Sequence, residues 1–426
     1  MRHFWFKLIT VLSLVFSSPA FALEEGKVFQ TVVPLYSEDA PCSPEFAEPF
    51  WARKSVANPA DDYVVRYSRF SCVIGDSGAI LIAPGRTEPA YEYLETALDF
   101  IALGYGPIYA VDHRGQGLSP RMLKDPLKGH VARFEDYISD LDVVVSAMQA
   151  DLSALGAPAD YPRFFTSNSL GGAIGIGYFQ TNGAETPFAA AALLGPMIHV
   201  NYISFVDTDA TWLALRTFSE FGANSQANLR CGVLSWFNTE KCAEYANEAD
   251  FGPYVTGSRS FVPDTESIMT HSRTRYDLRT HMWDAFDWAK IAAEEYAEGE
   301  FWTGPQLGGS TNGWVKEASR FNRQMRKSKN LEKMPDMPVL LMTGTRDLRA
   351  YRQFRSGSGK EPDLKRHSDF CDDMNAESLV TFGNYNCLFI PIKGAFHELY
   401  KERDAERSVA ISAVDWFFRM STRLPR

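Results

Sequence analysis

Between Phe164 and Gly172 the chain reads FFTSNSLGG: an apolar run, a polar turn and the start of a glycine-rich stretch. A serine on a sharp strand-to-helix turn can act as a nucleophile when its neighbours two before and two after are small. Ser169 satisfies this, with Ser167 before it and Gly171 after it, whereas Ser167 would have Phe165 two before. The motif is S-x-S-x-G, a small-residue variant of G-x-S-x-G. A serine hydroxyl is a weak nucleophile until a base takes its proton, and with this type of turn the acid and then the histidine follow in the chain. His199, His271, His281, His367 and His397 come after Ser169. His397 is the candidate, since it follows an apolar strand and precedes the last helix, in Gly394-Ala395-Phe396-His397-Glu398. His199 is too near the strand after the elbow, His271 and His281 fall in a long insertion, and His367 falls in a polar loop. Asp347 is the candidate acid. It stands just beyond the carboxyl end of the run Pro338–Gly344, where catalytic groups gather in open parallel sheets. Asp336 competes but precedes that strand, at the wrong edge.

An ester oxyanion requires backbone N–H donors already in place. Leu170, next after the nucleophile, supplies one, and Arg86 in the turn Pro84-Gly85-Arg86-Thr87-Glu88 supplies the other. No metal or organic cofactor is needed for such chemistry. Three similar-looking motifs fail on context. Gly75-Asp76-Ser77-Gly78 has no suitable histidine and acid upstream and reads as a hairpin turn. Ser356-Gly357-Ser358-Gly359-Lys360 lacks the Ser or Thr of a phosphate loop, and His397-Glu398 has no second histidine at metal-binding spacing.

The stretch Asp112-His113-Arg114-Gly115-Gln116-Gly117-Leu118-Ser119 carries D-x-R-G-x-G-x-S. Together with Gly129-His130-Val131, Gly195-Pro196-Met197, Gly308-Gly309-Ser310 before Trp314, and the Gly394–Glu398 tail, it makes the chain resemble bacterial lysophospholipases related to monoacylglycerol lipases, within the α/β-hydrolase superfamily. The resemblance spans roughly residues 60–420. It implies the α/β-hydrolase fold, a mostly parallel sheet covered on both faces with a large inserted cap, and serine-dependent removal of an acyl chain from a lysophospholipid or monoacylglycerol. Three departures stand out: Ser167 where Gly or Ala is usual, Pro84-Gly85 where many relatives have His-Gly, and a longer polar loop from Arg349. The Asp112–Ser119 stretch reads as scaffold, with Gly115 and Gly117 letting the loop fold back and Arg114 pinning carbonyls.

Elements able to position these residues recur along the chain. Val64–Val73, Ala79–Ala83, Ile108–Val111, Phe164–Thr166, Ala189–Leu194, Val339–Thr343 and Leu388–Ile392 read as strands, and Tyr91–Ala102, Phe134–Leu155, the segment from Leu170 and Ala405–Phe418 as helices. Such alternation implies a mainly parallel sheet. It stops over about 198–336, rich in aromatics such as Trp212, Trp236, Trp283 and Trp288, which suits a cap over an acyl chain. The expected organisation is a signal peptide at 1–22, an N-terminal extension at 23–60, the hydrolase core at 61–197 and 337–426, and the cap at 198–336. A second interruption, from Arg349 to Thr381, reads as a mobile polar loop.

The whole chain has 426 residues with net charge -10 and no basic block, which disfavours nucleic-acid binding. Arg2 and Lys7, the apolar run Leu8–Phe16 and Ala20-Phe21-Ala22 form an export signal with cleavage after Ala22. Periplasmic or secreted location then permits disulfides. Short loops favour Cys231–Cys242 and Cys371–Cys387, leaving Cys42–Cys72. The expected partner is a single-acyl lipid substrate, with transient contact of the cap with a membrane surface and no obligate protein partner. A peptidase or small-ester hydrolase on the same fold, and a non-catalytic lipid-binding protein, are the rival readings.

Overall fold

Short aliphatic runs separated by amphipathic segments are what a doubly covered parallel sheet requires, because its strands are buried on both sides. The computed structural model of the protein describes residues 35–36, 42, 51–199, 270–272, 275, 304–347 and 365–423. In the first part of the chain these hold β1 (Leu35–Tyr36), β2 (Trp51–Asn58), β3 (Tyr63–Phe70), β4 (Ala79–Ala83), α1 (Leu94–Ala102), β5 (Ile108–Asp112), α2 (Phe134–Ala154), β6 (Arg163–Asn168), α3 (Leu170–Asn182) and β7 (Ala190–Leu194). The later part holds α4 (Asn312–Met325), α5 (Ser328–Leu331), β8 (Val339–Gly344), α6 (Lys365–Thr381), β9 (Cys387–Ile392) and α7 (Asp404–Arg423). A 3-10 turn at Ala90–Tyr93 leads into α1.

All nine strands join one sheet in the order β1-β2-β3-β5-β4-β6-β7-β8-β9. From β5 to β9 every pairing is parallel. β3 runs antiparallel to both β2 and β5. Alternate residues of one strand enter opposite cores. Phe165 and Leu341 pack with α2, α3 and α4 on one face, whereas Phe164, Leu340 and Met342 pack with α1 and α7 on the other. Among the described residues no helix is long and apolar enough to cross a membrane.

Several expectations change. β2 lies in the sheet, although the sequence places Trp51–Asn58 in the N-terminal extension; its Trp51 is fully buried and stacks on Phe70. Gly75-Asp76-Ser77-Gly78 is not a hairpin turn, because β5 sits between β3 and β4. Residues 365–381 of the expected polar loop form helix α6. Its inward stripe, Phe370, Cys371 and Met374, is thin against a polar outer face, so the helical period is weak in the sequence. Helix α4, on the cap side of the expected boundary at 336, packs into the sheet domain: Val315, Ala318, Phe321 and Met325 join the core of α2 and α3. Gly129 and Ser310 form a bridge that ties the start of this segment to the core. The disulfides Cys42–Cys72 and Cys371–Cys387 are formed, the second clipping α6 to β9. Cys231, Cys242 and the cap aromatics lie outside the described residues.

The Phe321 ring stacks on Phe134 at 4.2 Å with a 10° interplanar angle. Phe321→Ala should therefore lower the unfolding free energy of the sheet domain by about 3–5 kcal/mol, measured by urea denaturation. An unchanged midpoint would mean that α4 contributes nothing to that core.

Candidate active site

Ser169 is the single residue between the end of β6 and the start of α3, and its backbone is bent to φ 48° and ψ -110°. A non-glycine residue held there carries roughly 1–3 kcal/mol of strain, so the surroundings must enforce it. They do so through main-chain hydrogen bonds. Ser169 N–H donates to Leu194 O at 3.0 Å, and Ser169 O accepts from Met197 N–H at 2.8 Å. The sequence reading holds that residues two before and two after the serine crowd each other. The crowding at Gly171 comes instead from the neighbouring strand: a Cβ there would lie 1.9 Å from Ala83 O. Ser167, by contrast, is buried beneath the turn.

His397 and Asp347 are paired. His397 Nδ1 lies 2.8 Å from Asp347 Oδ2, and both side chains are almost fully buried. A carboxylate only accepts, so Nδ1 carries the proton and Nε2 is the basic nitrogen of the neutral ring. The two loops that carry them are stitched together: Arg346 N–H donates to Ala395 O at 2.8 Å, Thr345 N–H to Ile392 O at 2.9 Å, and Gly394 N–H to Thr345 Oγ1 at 2.8 Å. Gly195 links this pair to Ser169. A Cβ on Gly195 would stand 3.3 Å from the His397 ring and 3.4 Å from Asp347 Oδ2, while Leu194 just before it and Met197 two residues after it hold Ser169. Ser169, Asp347 and His397 thus converge on the Leu194–Met197 loop at the carboxyl edge of the sheet.

The other candidates sit elsewhere. Asp336 accepts from Asn384 and Asn386, at the opposite edge. His271 pairs with Glu402. His199 lies against Arg326, and His281 is outside the described residues. His367 is not in a loop; it is buried in the first turn of α6 and contacts Pro196 O at 2.8 Å.

The expected oxyanion donors flank this point. Leu170 opens α3, where first-turn N–H groups lack intrahelical acceptors. In the turn after β4, Gly85 N–H donates to Glu88 Oε2 at 2.6 Å, Thr87 N–H to Gln116 Oε1 at 2.7 Å, and Glu88 N–H to Gly85 O at 3.4 Å, so none of these three is the donor. Arg86 sends its side chain away from the edge, to Gly308 O at 2.6 Å and over the Trp314 ring. The Asp112–Ser119 stretch folds back on itself, Ser119 Oγ donating to Asp112 O at 2.6 Å, and Arg114 pins carboxylates where carbonyls were expected: its guanidinium pairs with Asp140 and Asp61.

Glu88 is the residue that sequence reasoning passes over. Its buried carboxylate accepts from Gly85 N–H at 2.6 Å, from Tyr93 OH at 2.6 Å and from Asn168 Nδ2 at 2.8 Å, with Lys401 Nζ 3.7 Å away. It therefore joins the turn after β4, the residue before Ser169 and the loop that carries His397. Burial alone would raise its pKa, but the Lys401 charge and the hydrogen bonds from Tyr93 and Gly85 outweigh this and hold it down at about 2. Glu88 heads a ladder. Glu92, Glu95 and Asp99 follow at helical spacing and are also buried. Lys401 pairs with Glu92 at 2.5 Å, Arg275 with Glu95 at 2.7 Å and Arg407 with Asp99 at 2.5 Å. Acidic residues spaced 4, 3 and 4 apart, beside Tyr91, Tyr93, Leu94 and Phe100, were the available signal: the face that should turn to water also carries the aromatic residues.

A model of the Hydrolase_4 family, described as serine aminopeptidase, S33, matches residues 76–296. Lysophospholipase L2 of Escherichia coli strain K12 is 28% identical over 374 residues, covering 87% of this chain and 88% of that protein. Among solved structures, a monoglyceride lipase from Saccharomyces cerevisiae with a bound substrate analogue superposes with TM-score 0.52 at 13% identity, covering 84% of this chain and 92% of that one. A lipase in an open form superposes with TM-score 0.53 at 14% identity, covering 88% and 100%. These two structures share the α/β-hydrolase fold with the chain.

His113 offers a test of how the turn after β4 is supported. Its Nε2 donates to Pro84 O at 3.0 Å, and burial pushes its pKa down to about 4 against the pull of that carbonyl and of Glu88. The unfolded chain protonates this histidine near its ordinary value of about 6.5, while the folded protein does not until about 4. Its contribution to stability is therefore complete above pH 6.5 and declines as pH falls toward 4. Between pH 7.5 and 5 the wild type should lose about 2 kcal/mol through this group. The stability difference between wild type and His113→Gln should shrink by that amount, read from urea unfolding at the two pH values. A difference independent of pH would show that His113 is not held neutral.

Proposed function

The chain belongs to the Hydrolase_4 family of α/β-hydrolases, and from that premise we propose that it is an exported serine ester hydrolase that removes the acyl chain from lysophospholipids or monoacylglycerols. The observation that carries the reading is the paired His397 and Asp347 set against the same short loop that grips the strained Ser169. Ser169 Oγ attacks the acyl carbonyl carbon while His397 Nε2 takes its proton. Asp347 keeps the imidazole in the right tautomer and stabilises the imidazolium without taking the proton itself. Arg86 and Leu170 N–H stabilise the oxyanion. Collapse of the tetrahedral intermediate breaks the bond to the glycerol-type alcohol, which leaves with the proton from His397. Water, deprotonated by His397, then releases the fatty acid and restores Ser169. The chain's own groups supply every step, without metal or organic cofactor.

The substrate class is supported by the kinship with the Escherichia coli lysophospholipase and by the aromatic-rich insertion. Export is supported by the leader-like residues 1–22 and by two disulfides in the chain. The aminopeptidase description of the family gives a second reading. An aminopeptidase needs a carboxylate for the substrate's free amine, and the ladder acids Glu92, Glu95 and Asp99 are already matched to Lys401, Arg275 and Arg407.

An alkyl fluorophosphonate should label the wild type at Ser169 and leave Ser169→Ala unlabelled and unable to hydrolyse 4-nitrophenyl esters, with its melting temperature unchanged. Labelling or turnover that survives the substitution places the nucleophile elsewhere. Substrate class is read from acyl length. Each buried methylene contributes about 0.8 kcal/mol, so kcat/KM can rise by up to about fourfold per methylene before ordering costs. A rise from acetyl through medium-chain esters, measured below the micelle threshold, is expected. A flat or falling profile, or faster cleavage of aminoacyl amides, favours the small-ester or peptidase reading.

A further inference from the structure

The Leu194–Met197 loop is the common wall of the site, and a residue outside the triad holds it. His367, 2% exposed in the first turn of α6, has its Nε2 2.8 Å from Pro196 O. A carbonyl oxygen can only accept, so Nε2 carries the proton and donates it. Pro196 sits between Gly195, which abuts the His397 ring and the Asp347 carboxylate, and Met197, whose N–H donates to Ser169 O. A shift at Pro196 would therefore be felt by all three triad residues.

Resting on the hydrolase reading, we infer that His367 is a positioning residue for Ser169, Asp347 and His397: through its hydrogen bond to Pro196 O it fixes the loop that sets the approach of the nucleophile to its base. Burial pushes its pKa below the ordinary value, against the opposing pull of the hydrogen bond to Pro196 O and of the Asp347 charge. Its helix is in turn clipped to β9 by Cys371–Cys387. The loop is thus gripped from one side by the elbow and from the other by a helix anchored to the strand that leads into the His397 loop.

Reading and inference are tested together on the full chain with 4-nitrophenyl butyrate and an alkyl fluorophosphonate. His367→Leu removes the donor, while His367→Gln keeps an N–H at the same reach. Misplacement of reacting groups by an ångström can cost up to about 100-fold. The Leu variant should lose at least about tenfold in kcat and in the rate of Ser169 labelling, with KM within about twofold, and the Gln variant should recover most of that loss. A purely structural role would lower the melting temperature of the Leu variant and leave its kcat intact, which would overturn the inference. So would a Gln variant no better than Leu. If the Leu variant does not fold, His367→Asn, whose amide is too short to reach Pro196 O, replaces it in the comparison with Gln. A wild type that neither hydrolyses the ester nor is labelled overturns the hydrolase reading, and the inference with it. An active wild type with an unimpaired Leu variant overturns the inference alone.

Discussion

Four carboxylates turned inward along a turn and the helix that follows it cannot stay charged unless cations reach them. Glu88, Glu92, Glu95 and Asp99 are in that position, and the cations come from segments far away in the chain: Lys401, Arg407 and Arg275. Burying a charge is costly unless it is paired and hydrogen-bonded, and removing one partner of a buried pair leaves a penalty of roughly 3–5 kcal/mol. The ladder therefore contributes little net stability relative to an apolar core, but it rejects every arrangement in which those segments are displaced. Two of the three cations lie shortly after His397 in sequence. The loop that carries His397 is thus held by charges laid down between the end of β4 and the end of α1.

The same logic separates scaffold from chemistry. Parallel strands with both faces buried provide a rigid edge, and Ser169, Asp347 and His397 stand on the loops that leave it. What is unusual about those loops is how many main-chain hydrogen bonds join one to the next: β6 to the loop after β7, and the loop after β8 to the loop after β9. Strain at Ser169 is tolerated because Leu194 and Met197 hold it on both sides.

Much of this was legible in the residues. The elbow, the order of serine, acid and histidine, and the apolar strands all announce themselves by small residues at a turn or by uninterrupted aliphatic runs. Strand β2 was hidden because WARKSVAN alternates weakly and carries two basic residues. Helix α6 was hidden because its sequence, KRHSDFCDDMNAESLVT, is mostly polar and follows a glycine- and serine-rich stretch. Helix α4 continues the composition of the insertion, and only packing assigns it to the core. Glu88 and His367 were missed for one reason: a buried polar residue is recognised by the partner it meets, and those partners, Lys401 and Pro196, are remote in sequence.

Arg275 gives the insertion a property that its length alone would not suggest. Its guanidinium is buried between Glu95 and Asp404 and also donates to Glu402 O, while Thr270 donates to Lys401 O. The long excursion between residues 199 and 304 is therefore moored part-way along. The consequence is for the sheet domain itself: Glu95 meets its nearest cation in a residue drawn from the interval between β7 and α4. A chain shortened by removing that interval would therefore leave a buried carboxylate of α1 without the guanidinium that neutralises it.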